Sequence, residues 1–438
     1  MPMTAVFSDL NTLAQVPRIP DVPTVAVLGM GYVGLPTSLA LREAGFRVLG
    51  VDISERRLRH IEAGSVDLLD RDRPRLTRAL ESGQFGLTTD LRALEAVDAV
   101  LIAVPTPVDH DLNPDLRAVR SACASAVEHA RAGQTLILTS TTYVGTTRDL
   151  LVEPLRERGF TIGEDIHVAF APERINPGDA LWEQAAVPRV IGGVTSACTD
   201  AAAAVLAATA SKLHVVSSVE AAEFTKLQEN TFRAVNLAFA NEMAAAAGFY
   251  GVDPVEVIDA AATKPYGYLP HYPGPGVGGH CIPVDPYYLL TPLRDAGVAS
   301  PVVENAMASV AGRPRSVADR ALDITGSRGI ADANARVLLV GVAYKPGVED
   351  FRESPALQIA GRLAARGAQV SYHDPLIAEV EVEGAGVLHN VAAPDPSQYD
   401  LVLVAVVHPG HSYEYLADAE HLLDATYKTS GGKVRHAL

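Results

Sequence analysis

The 438-residue sequence predicts an α/β protein of two doubly wound lobes joined by a long central helix. Strand-like apolar runs alternate with helix-patterned segments from Thr24 to Ile191, the pattern of βαβ units in a parallel sheet. A second such run begins near Arg336. Between them, Glu220–Gly248 keeps helical spacing with no proline. Composition sets the outer bounds. Hydrophobic residues at 48% and charged residues at 20% describe a globular chain, with length for two or three domains. With 36 basic against 52 acidic residues, the net charge of −16 and the absence of a Lys/Arg cluster argue against nucleic acid or an anionic membrane as partner. No apolar stretch reaches the ~20 residues of a membrane span, and the N-terminus lacks the order of a signal peptide. Cys123, Cys198 and Cys281 are too few and too scattered for a disulfide scaffold. The expectation is a cytoplasmic enzyme or small-molecule binder.

The segments divide into a lead-in over residues 1–23, a first lobe over 24–215, a central helical region over 216–325 and a second lobe over 326–438. Thr24–Leu28 reads as a strand, Gly29–Gly34 as a glycine turn, Leu35–Gly45 as a helix and Arg47–Val51 as the next strand. Further strands follow at Ala99–Val104, Thr135–Thr139, Val168–Phe170 and Val190–Ile191. In the long helix Phe224, Leu227, Thr231, Ala234/Val235, Ala238 and Phe239 recur at helical spacing, and Gly248 is the expected stop. Asp253-Pro254 then supplies an N-cap and a first-turn proline. Arg336–Ala343 opens the second lobe, Ser354-Pro355 caps a helix ending before Gly367, and Gln369–Tyr372 and Leu401–Val407 are strands.

Gly29-Met30-Gly31-Tyr32-Val33-Gly34 leaves a strand and opens a helix, and Asp52 closes the following strand. In that setting glycines admit a pyrophosphate to the backbone, the helix N-terminus stabilises its charge and the acid holds ribose hydroxyls. The first lobe is therefore Rossmann-like. Asp52 would repel a 2′-phosphate, so NAD is favoured over NADP, although Arg56 and Arg57 lie close behind. Pro105-Thr106-Pro107 sits at a strand's carboxyl end, where ligands bind in such sheets or where a chain simply turns.

Pro273–Pro286 is the least ordinary segment, with glycines at 274, 276, 278 and 279 ahead of Cys281 and Asp285 behind it. The glycines would let a ligand approach the backbone beside a thiol nucleophile; the bland reading is a packed thiol. Cys123 and Cys198 lie in alanine-rich helices and read as inert. Lys226 and Asn230 share a helix face, either to steady an oxyanion or as a solvated stripe. Glu173 follows a strand and is a general base or half of a surface ion pair, and Thr141 follows another strand end. His408 and His411, lacking acidic or cysteine neighbours in sequence, read as a strand-end cap and not as metal ligands.

The motifs GMGYVG, VPTP, STTYVGTT, APERINPG, KLQENTFRAVN, GPGVGGHCIPVDP and GVAYKPGVEDFRESP occur in order from Val25 to His411. In them the chain resembles the UDP-glucose/GDP-mannose dehydrogenase family of nucleotide-sugar 6-dehydrogenases. The resemblance implies a second Rossmann-like lobe that binds the UDP-sugar, a dimer or higher homo-oligomer, and oxidation of a sugar C6 alcohol to a carboxylate by two NAD+. It implies Cys281 as the covalent nucleophile, Lys226 as base and electrostatic stabiliser, and Asn230 at the oxyanion. Asp285 would tune Lys226 or a water, Thr141 would position water, and Glu173 would assist thioester hydrolysis. The cofactor set becomes Gly29, Gly31, Tyr32, Val33, Gly34, Asp52, Arg57, Pro105, Thr106 and Thr141, with Arg352 reaching the cofactor of the partner subunit. The substrate set becomes Glu173, Arg174, Lys226, Asn230, Tyr268, Tyr272, Gly276, Gly279, His280 and Lys345. Gly-Gly-His-Cys, with Val284 before Asp285, looks like the enzymes for UDP-N-acetylhexosamines, particularly UDP-N-acetylglucosamine, with UDP-N-acetylmannosamine enzymes close by and UDP-glucose a further alternative. Val144 and Pro346 depart from that subgroup's usual proline and lysine. Two rivals stand outside this reading. One is a single-step hydroxyacid-type dehydrogenase that needs no thiol, the other an inactive nucleotide-sensing protein.

Overall fold

A computed structural model describes residues 22–66, 68, 71–174 and 186–438. Residues 1–21 of the expected lead-in and 175–178 of the APERINPG motif lie outside the described residues. The chain forms two compact units, one of residues 1–229 with 287–292, the other of 230–286 with 293–438.

In the first unit β1 (Thr24–Leu28), α1 (Gly34–Glu43), β2 (Arg47–Val51), α2 (Glu55–Glu62), α3 (Arg73–Glu81), β3 (Phe85–Thr88), β4 (Ala99–Ile102), α4 (Arg117–Glu128), β5 (Thr135–Leu138), α5 (Glu153–Glu157), β6 (His167–Phe170), β7 (Arg189–Gly193), α6 (Ser196–Leu206) and β8 (Leu213–Val215) follow in order. The sheet runs β3-β2-β1-β4-β5-β6-β7-β8. All pairings are parallel except β6 with β7, so the sheet expected to be parallel carries one antiparallel step. Strand residues alternate between two cores. Val25 and Val27 pack with Leu35, Leu39 and Ile61 on one face, while Ala26 and Leu28 pack with Val119 and Cys123 on the other. Cys123 is fully buried, and burial pushes its thiol up to about 12, as expected of an inert cysteine. Cys198 is buried too, and its sulfur accepts from the Val168 amide. The strand order reverses between β1 and β4, so the glycine turn and the Pro105–Pro107 loop both leave carboxyl ends at the switch point.

The long helix, α7 (Val219–Tyr250), crosses the boundary between the units. It passes through Gly248, which lies in helical backbone near the Leu438 carbonyl, and stops at Gly251. Gly251 has φ +71°, and the Val252 amide closes back on the Ala247 carbonyl, so the left-handed glycine that ends the helix is three residues later than expected. Asp253 caps α8 (Pro254–Ala262) by accepting from the Val255 amide. Then come α9 (Asp285–Asp295) and α10 (Pro301–Ser327).

The second unit contains β9 (Arg336–Val340), α11 (Pro355–Ala365), β10 (Gln369–His373), the hairpin β11 (Glu379–Val382) with β12 (Gly386–His389), β13 (Leu401–Val404), β14 (His421–Asp424) and β15 (Val434–His436). Its parallel sheet runs β10-β9-β13-β14-β15. Val337, Leu339, Leu401 and Leu403 face α10 and α11, while Leu338, Val340, Val402 and Val404 face Leu416 and Ala419. Ser354 caps α11 through the Ala356 amide, as expected. β9 stops at Val340 and not at Ala343 because Gly341 turns the chain at φ +82°. Among the described residues no helix is long and apolar enough to cross a membrane.

Candidate active site

In the first unit the three glycines of the turn do three different things. Gly29 has φ +97°, and a methyl group there would stand 2.5 Å from the Ala103 carbonyl oxygen. One at Gly34 would lie 1.7 Å from the Gly29 oxygen, so Gly34 lets α1 start against the turn. One at Gly31 would meet no protein atom within 4 Å. Asp52, at the end of β2, accepts from the Met30 amide at 2.8 Å and the Ser54 amide at 2.8 Å. Arg57 Nε donates to the Met30 carbonyl at 2.8 Å, so acid and base brace the turn from both sides. Tyr32 is partly exposed beside it. These residues fit a dinucleotide, with open space over Gly31 where a pyrophosphate approaches and a half-buried carboxylate at the strand end for the ribose.

At the next strand ends Ser140 Oγ accepts from the Val104 amide at 2.9 Å and donates to the Val104 carbonyl at 2.8 Å. It ties the Pro105–Thr106 loop to the segment carrying Thr141, and the fully buried Tyr288 donates to the Pro107 carbonyl at 3.0 Å. Thr141 is half-buried. Just beyond it, Glu223 of α7 accepts from the Gly145 and Thr147 amides and the Thr147 hydroxyl at 2.6–2.8 Å. Burial raises this carboxyl even though those donors pull it down. Nothing in the sequence around Ser140 or Glu223 marks either as an anchor.

Glu173 is not in a surface pair. Its side chain is 10% exposed and faces Arg189, 5% exposed, at 3.4 Å. Arg174 pairs with Glu229 and donates to the Pro188 carbonyl at 2.7 Å. Lys226 is half-buried on α7.

In the second unit Asn230 is buried, and its amide donates to the buried Asp285 carboxylate. A solvated stripe is thereby excluded for Asn230. Asp285 sits in the first turn of α9, where its charge suits the helix dipole, and its amide donates to the Cys281 carbonyl at 2.7 Å. Cys281 is exposed.

The glycines before it answer mainly to the protein. A methyl group at Gly278 would stand 2.7 Å from the Glu353 carbonyl oxygen, one at Gly279 2.9 Å from the Tyr344 ring, and one at Gly276 2.7 Å from Pro355. Three of the four thus let the thiol loop pack on the loop between β9 and α11, a requirement beside the expected approach of a ligand. Glu353 there holds φ +54°, a left-handed conformation that costs a non-glycine residue about 1–2 kcal/mol. Gly274 is held at both ends, its amide by Asn241 and its carbonyl by Arg313, each at 3.0 Å.

That packing sets His280 near Arg352. Partial burial and the Arg352 charge hold the His280 imidazole below its ordinary range, against the opposite pull of Asp350 and Glu353. Arg352 grips Asp350 through Nε and Nη2 at 2.9 and 2.7 Å yet keeps half its side chain exposed. Lys345 Nζ lies 5.6 Å from the centre of the Tyr344 ring. By contrast, Tyr272 donates to Asp259 of α8 at 2.7 Å, and Tyr268 is half-buried.

A dinucleotide turn at a switch point, together with an exposed thiol on a braced loop, defines a dinucleotide-dependent oxidoreductase. Comparison with known proteins makes this specific. Family models match as the NAD binding domain over residues 23–210, the central domain over 220–309 and the UDP binding domain over 338–429. The chain belongs to the UDP-glucose/GDP-mannose dehydrogenase family, and is an NAD-dependent nucleotide-sugar dehydrogenase. It is 33% identical over 412 residues to a UDP-N-acetyl-D-mannosamine dehydrogenase of Pyrococcus horikoshii, covering 91% of this chain and 96% of that one. It is 31% identical over 407 residues to a UDP-N-acetyl-D-glucosamine 6-dehydrogenase of Pseudomonas aeruginosa, covering 91% and 95%. The solved structure of UDP-D-ManNAc dehydrogenase from Pyrococcus horikoshii aligns with a TM-score of 0.85 at 30% identity, covering 94% of this chain and 97% of that one.

Proposed function

We propose that the protein oxidises the C6 alcohol of a UDP-N-acetylhexosamine, UDP-N-acetylglucosamine first, to the uronic acid in two steps at one site. The observation that carries the covalent route is the exposed Cys281 thiol on a loop braced by the loop carrying Lys345 and Arg352. NAD, held by Gly29–Gly34 and Asp52, supplies a hydride acceptor and is used twice per sugar. Lys226 takes the C6 hydroxyl proton as the first hydride leaves. Cys281 Sγ then adds to the aldehyde carbon, and the carbonyl oxygen takes a proton to form a thiohemiacetal. Loss of that proton and of a second hydride leaves a thioester. Water, positioned by Thr141 and assisted by Glu173, cleaves the carbon–sulfur bond to give the carboxylate and regenerate the thiol. Asn230, fixed by Asp285, donates to the oxyanion. Covalent capture keeps a reactive aldehyde from escaping between the oxidations. His280, Tyr268, Tyr272, Arg174 and Lys345 are assigned to the sugar diphosphate.

UDP-N-acetylmannosamine is the second reading, favoured by the names of the 33–35% identical relatives. We also infer a homodimer or higher oligomer, supported by the exposed Phe232, Phe239 and Met243 along α7, and a cytoplasmic location, where cysteines outside disulfides are ordinary.

The test is NADH formed per sugar consumed with UDP-N-acetylglucosamine, UDP-N-acetylmannosamine, UDP-N-acetylgalactosamine, UDP-glucose and GDP-mannose, each driven to completion. Two NADH on UDP-N-acetylglucosamine are expected. Two on UDP-glucose alone would overturn the sugar assignment, and one NADH with free aldehyde would overturn the role of Cys281.

A further inference from the structure

The two sheets repeat one device at the ends of corresponding strands. After β1, Gly29 at φ +97° donates its amide to Val51 O at 2.8 Å, and after β9, Gly341 at φ +82° donates to His373 O at 2.8 Å. The acid ending β2, Asp52, accepts from the Met30 amide and from the amide two residues on. The acid following β10, Asp374, accepts from the Val342 amide at 2.8 Å and from that of Leu376, also two residues on, at 2.9 Å. What differs is access. Asp52 is half-buried, whereas Asp374 is fully buried, closed over by an equally buried histidine.

That histidine is His408, which the sequence reads as a strand-end cap. Its Nε2 lies 3.2 Å from Asp374 Oδ2, and its Nδ1 accepts from the Gly347 amide at 3.1 Å. Because the Gly347 N–H points at Nδ1, the ring proton is assigned to Nε2 and donated to Asp374. Burial pushes Asp374 up, but the His408 hydrogen bond and the amides of Val342 and Leu376 outweigh it and hold the carboxyl below its usual range. The loop after β9 is thus fastened twice, at Val342–Ala343 by Asp374 and at Gly347 by His408. Between the fastenings stand Tyr344, whose ring meets Gly279 of the thiol loop, and Lys345.

We propose that His408 is a positioning residue of the sugar-nucleotide site: its imidazole, locked between Asp374 and Gly347, fixes the loop that presents Lys345 to the substrate. The proposal rests on the reading of Lys345 as a sugar-nucleotide contact.

The experiment compares the full-length wild type with His408→Ala, His408→Gln and His408→Asn by two readouts. Deuterium uptake over residues 342–350 reads the fastening without turnover. Steady-state kinetics with NAD+ and UDP-N-acetylglucosamine, and in parallel UDP-N-acetylmannosamine, read its consequence. His408→Ala should raise uptake in the loop and raise the KM for the sugar nucleotide by about tenfold, a loss on the order of one or two hydrogen bonds, with kcat and the KM for NAD+ within about twofold. His408→Gln, which keeps a donor for Asp374, should recover part of that KM. If His408→Ala does not fold, the Gln and Asn variants, each keeping one of the two bonds, carry the same comparison. Unchanged uptake, an unchanged sugar KM, or equal rises in both KM values would overturn the proposal. A wild type inactive on every sugar nucleotide would overturn the proposed function instead, and loop uptake would still decide whether His408 fastens the loop.

Discussion

Gly31 and Gly34 lie one helical turn apart, and replacing each by alanine should separate folding from cofactor binding. At Gly34 the new methyl carbon would lie 1.7 Å from a carbonyl oxygen and 2.9 Å from its carbon, both backbone atoms of Gly29 that cannot rotate away. Either α1 or the turn must shift. Overpacking costs about 1–3 kcal/mol where side chains can yield, so a backbone clash belongs at the upper end or beyond. For a unit of this size, with about 2–4 °C per kcal/mol, Gly34→Ala should lower the midpoint of thermal unfolding by roughly 6–12 °C. At Gly31 no protein atom lies within 4 Å and φ is not in the left-handed range, so alanine fits. Gly31→Ala should leave stability unchanged or raise it by about 0.4–1 kcal/mol through the unfolded chain's lost freedom. It should nevertheless weaken NAD+ binding by about tenfold or more, because the methyl group takes the space where a pyrophosphate approaches. Differential scanning fluorimetry and titration calorimetry with NAD+ read the two effects apart. The reasoning fails if Gly31→Ala destabilises the protein as much as Gly34→Ala, or binds NAD+ as tightly as the wild type.

Three further outcomes are expected. Cys281→Ser should move stability by no more than about 0.5 kcal/mol, since the side chain is exposed, yet reduce acid formation on the order of a thousandfold or more, measured as uronic acid per sugar consumed. Asp285→Ala leaves the buried Asn230 amide without its acceptor and should cost about 1–3 kcal/mol. With Asn230→Leu added, the two losses should fall short of their sum in denaturant titration. His421 and His436 stack with Nδ1 and Nε2 2.9 Å apart. Burial first, then Arg328 for His421 and the neighbouring His421 for His436, hold both below the ordinary 6.5. The unfolded chain therefore binds their protons more readily, so their contribution is whole above pH 6.5 and declines as pH falls through the lowered values. Midpoints at pH 7.5 and pH 5 should differ less in His436→Asn than in the wild type.

What could be read from the sequence was what local chemistry writes. The glycine turn, the Asp253-Pro254 and Ser354-Pro355 caps and the course of α7 each need only a few adjacent residues, and each stands where expected except the end of α7, which runs past Gly248. Among the strands that escaped, β3, β8, β14 and β15 have three or four residues apiece, too few to show a period, and depend on the parallel neighbours they pair with. Ser140, Glu223, Asn241, Arg313 and the His408–Asp374 pair escaped for another reason. Each serves backbone groups or a side chain more than thirty residues away, and nothing in the flanking sequence marks such a partner. The glycines of the thiol loop show the deeper limit. A glycine records that a side chain is missing but not what required its absence. At Gly31 no protein atom stands where a side chain would; at Gly278 the place is filled by the carbonyl of Glu353, itself in a left-handed conformation. The same letter thus marks an open position in one motif and a packing seam in the other. Only the second kind should lose stability when substituted, so Gly276, Gly278 and Gly279 should behave in unfolding experiments like Gly34 and not like Gly31.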